Sequence, residues 1–346
     1  MKLALRISAT CLVAVGALAT AWVAQPVLAS VPARSAMGSV AVRAPAPVVA
    51  APEAVTDTGI VEAPVDPTDV AWHRPTWFPP VIDVDTVGMM DGPAVTSDRP
   101  SLRSRSAFVY DIDAGQVLVD KNADVVRPVA SLTKMVSALP LVSVEPDLNT
   151  ELCVSAEQYP TRSGARSRLS TGDCMGGWDV LGAALVASDN RAAYALATVS
   201  GLGMDGFVER MNEVSADLAM DRSSWSDPSG LEDENLSTAR DIARATVAVA
   251  SHPVLAPVAT APYWDLYRTN HAPRRLFTTD RLVGREDIWV LAAKTGYTDT
   301  ARYCFSTVVQ TQSGRRLVIS LLGGEGKMTR WADVNRVLDW VERQEN

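Results

Sequence analysis

The strand-forming runs of this chain lie in two separated groups, with helix-forming sequence between them. Ala107-Phe108-Val109-Tyr110 and Val117-Leu118-Val119 are β-prone runs linked by Asp113-Ala114-Gly115, a hairpin signal. Three more candidates come late: Trp289 to Lys294, Arg302 to Thr311 and Leu317 to Leu322, the last two joined through Gln312-Ser313-Gly314. The segment between is read as helices. One starts near Ser131, just after Pro128, and stops before Pro140; a second, apolar, runs from Trp178 to Ala187 and ends at Ser188-Asp189-Asn190. Arg191 to Ser200 and Gly206 to Ala219 continue the helical layer, and Thr238-Ala239-Arg240-Asp241 has the capping-box shape of a helix reaching about Ser251. A terminal helix is expected from about Arg330 to Arg343. Two strands, a helical block, three strands and a helix fit one architecture: an α+β fold with a five-stranded antiparallel sheet, a helical layer on one side and an inserted helical subdomain. No internal repeat is apparent.

The N-terminal part reads differently. Lys2 and Arg6 precede an apolar run from Ile7 to about Ala24, Gln25-Pro26 breaks it, and Val27-Leu28-Ala29 forms a small-residue cleavage site before Ser30. Residues 1–29 are therefore expected to be an export signal, with an uncleaved anchor as the alternative. Cys11 lies inside the apolar run, unlike a lipid-attachment cysteine. Residues 30–100 are rich in Ala, Pro and Val without helical or strand period, the composition of an arm or linker. Trp72, Trp77 and Phe78 stand among its prolines, read as packed on the domain or as a partner-binding patch. Residues 101–346 are enough for one sizeable core. No later stretch approaches the ~20 apolar residues that span a bilayer, so the mature chain is expected to carry no membrane span. Losing Lys2 and Arg6 takes the formal charge from −8 to −10, which argues against nucleic acid or an anionic membrane as partner.

Export places the remaining cysteines in an oxidising compartment, where Cys153 and Cys174, flanking a loop-rich segment, are expected to pair. Cys304, in an alternating segment, reads as a buried free thiol. No cysteine has a metal-site spacing, and neither a metal nor another cofactor is expected. His73, His252 and His271 are scattered, with His252 read as a helix cap and no His–Asp partnership visible, which disfavours histidine-based catalysis.

Lysine is scarce: there are 27 arginines but only five lysines. Two of the five stand in short motifs, Ser131-Leu132-Thr133-Lys134 and Lys294-Thr295-Gly296. Guanidinium stays protonated in proteins, whereas a desolvated ammonium can give up its proton. Serine three residues before lysine on a helix puts hydroxyl and amine on one face, about 5–6 Å apart at Cβ. A helix start adds unpaired backbone amides that point toward the Ser131 hydroxyl. Burial would lower the pKa of Lys134 and let it take the serine proton. Alone, the first motif also fits an N-cap serine with a solvated lysine. Ser188-Asp189-Asn190 alone fits a helix stop, and Lys294-Thr295-Gly296 a strand end with a turn, where glycine lets a substrate backbone approach closely and Lys294 and Thr295 present cation and hydroxyl to a carboxylate.

All three in this order match the signature shared by penicillin-binding proteins and class A β-lactamases. Arg127-Pro128-Val129-Ala130-Ser131-Leu132-Thr133-Lys134, Ser188-Asp189-Asn190-Arg191-Ala192-Ala193, Asp227-Pro228-Ser229-Gly230-Leu231 and Lys294-Thr295-Gly296-Tyr297-Thr298 resemble the low-molecular-mass D-alanyl-D-alanine peptidases from about Ser106 onward. The resemblance implies Ser131 as acyl-forming nucleophile and Lys134 as its base. It implies Ser188 and Asn190 in the cleft, with Ser188 in proton transfer and Lys294 supporting it. Thr295 would face the substrate carboxylate, the amides of Ser131 and Tyr297 would hold the oxyanion, and Arg330 would bind carboxylate. Asp280 departs from the asparagine frequent in relatives.

That likeness implies an exported enzyme of the periplasm or cell-wall space acting on peptidoglycan stem peptides and cross-links, with β-lactams as covalent inhibitors. A β-lactamase is disfavoured, because no glutamate in a Glu-x-x-x-Asn setting lies near Ser226-Asp227-Pro228. The chain stops at Asn346 directly after the last core helix, which resembles the shorter D,D-endopeptidase type more than the carboxypeptidases with a second domain. A non-catalytic wall-binding or regulatory protein on the same fold is the alternative.

Overall fold

The computed structural model describes residues 90–96, 98–155 and 167–345, all within the unit Thr68–Asn346. The export signal and nearly all of the Pro/Ala-rich arm lie outside these residues. In chain order the strands are β1 (Ser106–Asp111), β2 (Gln116–Lys121), β3 (Arg127–Pro128), β4 (Glu151–Cys153), β5 (Cys174–Gly176), β6 (Leu236–Ser237), β7 (Tyr263–Arg268), β8 (His271–Phe277), β9 (Ile288–Thr298), β10 (Arg302–Thr311) and β11 (Arg316–Gly324). The helices are α1 (Thr133–Val144), α2 (Gly177–Leu185), α3 (Asn190–Ser200), α4 (Gly203–Asp217), α5 (Ala239–Ser251), α6 (Leu255–Ala259) and α7 (Thr329–Glu345).

The five-stranded sheet has the order β2-β1-β11-β10-β9, so the first and last parts of the chain meet where β1 pairs antiparallel with β11. Strand alternation gives the sheet two apolar faces. Phe108, Tyr110, Val308, Val318 and Leu322 join the core shared with α1 to α6. Val109, Phe305, Val309, Ile319 and Leu321 join a second core under Val334, Val337, Leu338 and Val341 of α7. Helices therefore cover both faces, where the sequence suggested a layer on one side; α7 is the second layer.

Packing reaches back to Met90, upstream of Ser101. The Met90 carbonyl accepts from Arg240 Nη1 at 2.6 Å and the Val95 amide donates to Val117 O at 2.9 Å. Arg240 also bridges Asp120 and Asp124, each at 2.8 Å, tying α5 to the β2 end.

Several elements differ from the sequence reading. The helix expected to stop before Pro140 runs through it to Val144 and ends at Glu145, whose left-handed φ of 47° lets its amide cap Leu141 O. Residues Thr133 to Leu141 are all buried, and that packing outweighs the ~3 kcal/mol cost of an internal proline. Helix α4 begins earlier than Gly206. Thr238 caps α5 by accepting from the Asp241 amide at 3.0 Å. The Asp241 carboxylate, however, turns to Arg222 N and Ser223 Oγ, so the capping box is one-sided. The hairpin of β7 and β8 has no counterpart in the sequence reading.

Candidate active site

The cleft gathers residues from α1, the α2–α3 junction, the loop after Trp225, and β9. Ser131 is the middle residue of a 3₁₀ turn, Ala130–Leu132, that runs directly into α1. Ala130 holds φ 51°, a left-handed conformation rare for a residue with a Cβ, and it turns the chain sharply into Ser131. The Leu132 amide bonds to Val129 O, and the Thr133 amide to Ala130 O and Ser131 O. Those two amides are thus engaged inside the turn, which corrects the expectation of unpaired helix-start amides aimed at Ser131.

One turn on, Lys134 is completely buried. Its Nζ lies 2.9 Å from Ser131 Oγ, 2.8 Å from Asn190 Oδ1 and 2.6 Å from Ser229 O. Burial, opposed by the nearby charges of Asp227 and Asp189, pulls the Lys134 pKa down to about 7. An amine at that value alternates between donor and proton acceptor near neutrality, and the proton within reach is that of Ser131.

Ser188-Asp189-Asn190 both ends one helix and opens the next. Ser188 takes φ 58°, and Asp189 caps α3 by accepting from the Ala192 amide at 3.2 Å. Asp189 also accepts from Ser167 Oγ at 2.7 Å and from the Arg168 amide, so it shapes the wall and leaves Asn190 to hold Lys134.

The loop carrying Ser229 was singled out only by resemblance, yet it supplies the third acceptor of Lys134. Asp227 is buried and organises it: Oδ1 accepts from the amides of Ser229 and Gly230 and from Ser229 Oγ, and Oδ2 accepts from the Glu232 amide and Asn235 Nδ2. The signal in sequence was Asp-Pro-Ser-Gly, a turn-forming run whose short acid bonds to following amides. Gly230, at φ +78°, leaves no room for a side chain, since a Cβ there would lie 2.0 Å from Ala130 O.

On the far side, β9 continues through Lys294-Thr295-Gly296 to Thr298, paired with β10 through Thr295–Phe305, Gly296–Cys304 and Tyr297–Tyr303. This corrects the reading of the motif as a strand end. Gly296 faces protein backbone: a Cβ there would meet Val129 O at 2.8 Å. Its bareness lets the strand lie against the Ser131 turn. Lys294 is 1% exposed, and burial together with the like charges of Lys134 and Arg330 pulls its pKa well below the ordinary amine value. Thr295 Oγ1 lies 2.6 Å from Thr279 Oγ1. Tyr297 is 45% exposed, with its ring 4.4 Å from that of Tyr303.

Arg330 lies behind this strand. Its Nη1 donates to Gly296 O and Cys304 O, each at 3.0 Å, so it braces β9 and β10. The structure brings Arg330 to the motif, with part of its guanidinium engaged by backbone. Cys153 and Cys174 pair directly across β4 and β5 and form a disulfide. Cys304 is a buried free thiol whose pKa burial raises to about 11. His252 accepts from the Val254 amide. His271 lies 3.0 Å from Asp173, a His–Asp contact that sequence did not reveal; it belongs to the β7–β8 hairpin, where His271 is half exposed.

With this geometry in view, comparison with known proteins gives one answer. The family model for peptidase S11, D-alanyl-D-alanine carboxypeptidase, matches residues 93–326, and the chain belongs to this family of serine hydrolases. A D-alanyl-D-alanine endopeptidase of Escherichia coli (strain K12) is 30% identical over 252 residues, covering 72% of this chain and 80% of the relative. A D-alanyl-D-alanine endopeptidase of Pseudomonas aeruginosa is 33% identical over 243 residues, covering 70% and 78%. The crystal structure of a D-alanyl-D-alanine carboxypeptidase from Mycobacterium tuberculosis H37Rv superposes with a TM-score of 0.65 at 29% identity, covering 73% of this chain and 96% of that one.

Proposed function

We propose that this chain hydrolyses D-alanyl peptide bonds of peptidoglycan through an acyl-enzyme on Ser131, and that its principal activity is endopeptidase cleavage of cross-links. The observation that carries the reading is the contact of Lys134 Nζ with Ser131 Oγ at 2.9 Å, inside a site that lowers the amine pKa to about 7. Neutral Lys134 takes the Ser131 proton as the oxygen attacks the D-alanyl carbonyl. Breakdown of the tetrahedral species leaves an ester on Ser131 and expels the amine, which needs a proton. Ser188, at the α2–α3 junction two residues before Asn190, relays it. Water then attacks the ester and restores Ser131. The amides of Ser131 and Tyr297 hold the oxyanion, while Lys294 and Thr295 serve the free carboxylate of the leaving residue and Arg330 braces the strand that carries them.

Endopeptidase is chosen over carboxypeptidase because two relatives at 30% and 33% identity carry that name. A β-lactamase reading is disfavoured because the acid of this loop, Asp227, has both oxygens engaged by loop donors. A non-catalytic role is disfavoured by a complete Ser131–Lys134–Asn190 network. Residues 1–29 act as the export signal in this account, and the enzyme works outside the cytoplasm on stem peptides, with β-lactams as covalent inhibitors. Among the described residues no helix is long and apolar enough to cross a membrane.

Mass spectrometry of products from purified cross-linked muropeptide dimers tests the reading. Monomers are the expected product. Release of terminal D-alanine alone would make the enzyme a carboxypeptidase, and intact dimers with no D-alanine released would exclude both.

A further inference from the structure

The chain is acidic, with 40 Asp and Glu against 32 Lys and Arg, yet arginines without acid partners gather beside Ser188. Arg168, in the segment before β5, is half buried, and its Nη1 donates to Ala187 O at 2.8 Å, one residue before Ser188. Arg274, exposed on β8, donates from Nη1 to Arg168 O at 3.0 Å. Arg191, one residue after Asn190, donates from Nη1 to Leu169 O at 2.7 Å, while its Nε is buried with no partner. Among the described residues no carboxylate pairs with any of these three guanidiniums. Arg268 and Arg275, on the same hairpin as Arg274, each hold an aspartate, Asp173 at 3.4 Å and Asp265 at 2.7 Å.

The acids of this neighbourhood are committed elsewhere. Asp189 accepts from Ser167 Oγ and from the amides of Arg168 and Ala192, and Asp173 holds Arg268 and His271. Like charges gathered on adjacent backbone segments repel one another, and an anion settling among them relieves that repulsion. Each of the three guanidiniums commits one nitrogen to backbone, which fixes its fork and leaves N–H groups that match a carboxylate. The network also sets where the cluster lies. Val186 O accepts from the Thr279 amide at 3.2 Å, and Thr279 Oγ1 lies 2.6 Å from Thr295 Oγ1. Through the Val186–Ala187 backbone, Arg168 is thereby joined to the part of the cleft where Thr295 serves the carboxylate of the leaving residue.

We infer that Arg168 and Arg274, backed by Arg191, form a carboxylate-binding subsite for the stem peptide that leaves when a cross-link is cut. A carboxypeptidase expels one alanine, whose single carboxylate Lys294 and Thr295 serve. Cutting a cross-link expels a whole stem peptide, which carries carboxylates beyond the one beside the scissile bond. The arginines hold those further carboxylates by charge-assisted hydrogen bonds and take no part in acyl transfer to Ser131. The subsite thus selects the endopeptidase substrate by its leaving group. The inference rests on the endopeptidase reading above.

The test uses purified cross-linked dimers in two forms. In one, all carboxylates of the leaving stem peptide are free; in the other, all are amidated except the one beside the scissile bond. Each kcat/KM for cleavage is divided by the same protein's rate of acylation by labelled penicillin, so that a general disturbance of the cleft cancels. Wild-type protein should prefer the free dimer by about tenfold or more, the worth of a hydrogen bond between charged groups. Arg168→Gln should lose that preference, through a higher KM for the free dimer with kcat little changed. Arg168→Lys, which keeps the charge without the fork, should retain part of it. Arg274→Gln should lose part as well, and because Arg274 is exposed this variant keeps the test decisive if loss of the Arg168 brace unfolds its segment. Wild-type protein that cuts both dimers alike, or variants that lose both by one factor, overturns the inference and leaves these arginines as braces of the backbone. Wild-type protein that cuts neither dimer would instead sink the endopeptidase reading, so the two failures are distinct.

Discussion

Lys134 shows why lysine was kept where the chain otherwise prefers arginine. Its Nζ has three acceptors, from Ser131, Asn190 and Ser229, and the side chain is completely buried. Guanidinium in that place would hold its proton and could not act as base. Lys134→Arg should therefore lose acylation as fully as Lys134→Ala, by about 10²–10⁴-fold, the usual contribution of a positioned base; labelled penicillin measures both. The sign of the pH effect follows. Lys134 works only when deprotonated, so acylation should rise with pH through about 7 and level above it; a rate that falls through that value would contradict this role. Of this network, residue types identified Ser131 with Lys134, because they need each other, and the family resemblance added Asn190. Ser229 escaped because it contributes a backbone carbonyl, for which side-chain identity gives no signal.

Elements hold these groups by close backbone approach. Gly296 on β9 lies against Val129 of the nucleophile turn, and Gly296→Ala would force a Cβ to 2.8 Å from Val129 O. The strand must back away, so acylation should fall at least tenfold while the circular dichroism spectrum stays native. Asp227→Ala removes the acceptor of five donors from one loop; unfolding in urea should show a loss of about 1–3 kcal/mol or more, together with weaker acylation as Ser229 O drifts from Lys134. The disulfide between Cys153 and Cys174, 21 residues apart, should contribute about 2–4 kcal/mol. Cys153→Ser with Cys174→Ser, measured by urea unfolding, should lose that amount without loss of acylation by labelled penicillin. The longer helices and the central strands were legible because their apolar periods are strong, whereas the short α6 was not read. The sequence reading missed β7 and β8, where only Leu266 and Leu276 are fully buried and Pro273 interrupts the run. It cut β9 short at Lys294, because Thr295-Gly296-Tyr297 looks like a turn until its pairing with β10 is seen.

At the scale of the molecule, β1 meets β11 and closes one sheet from the two ends of the described chain, with the helical insertion on one face and α7 on the other. That closure brings Ser131, Asn190, Ser229 and Lys294 to one cleft from widely separated places in the chain. The order of strands and helices was legible because a split set of strands has few ways to make one sheet; the second helical layer was not, since α7 could have packed on either face. The claim on which the rest depends is that Ser131 becomes an ester. Intact-protein and peptide mass spectrometry after incubation with penicillin tests it most directly. The expected result is a single adduct on the peptide containing Ser131, absent from Ser131→Ala. No adduct on wild-type protein, or one that persists in Ser131→Ala, would contradict it.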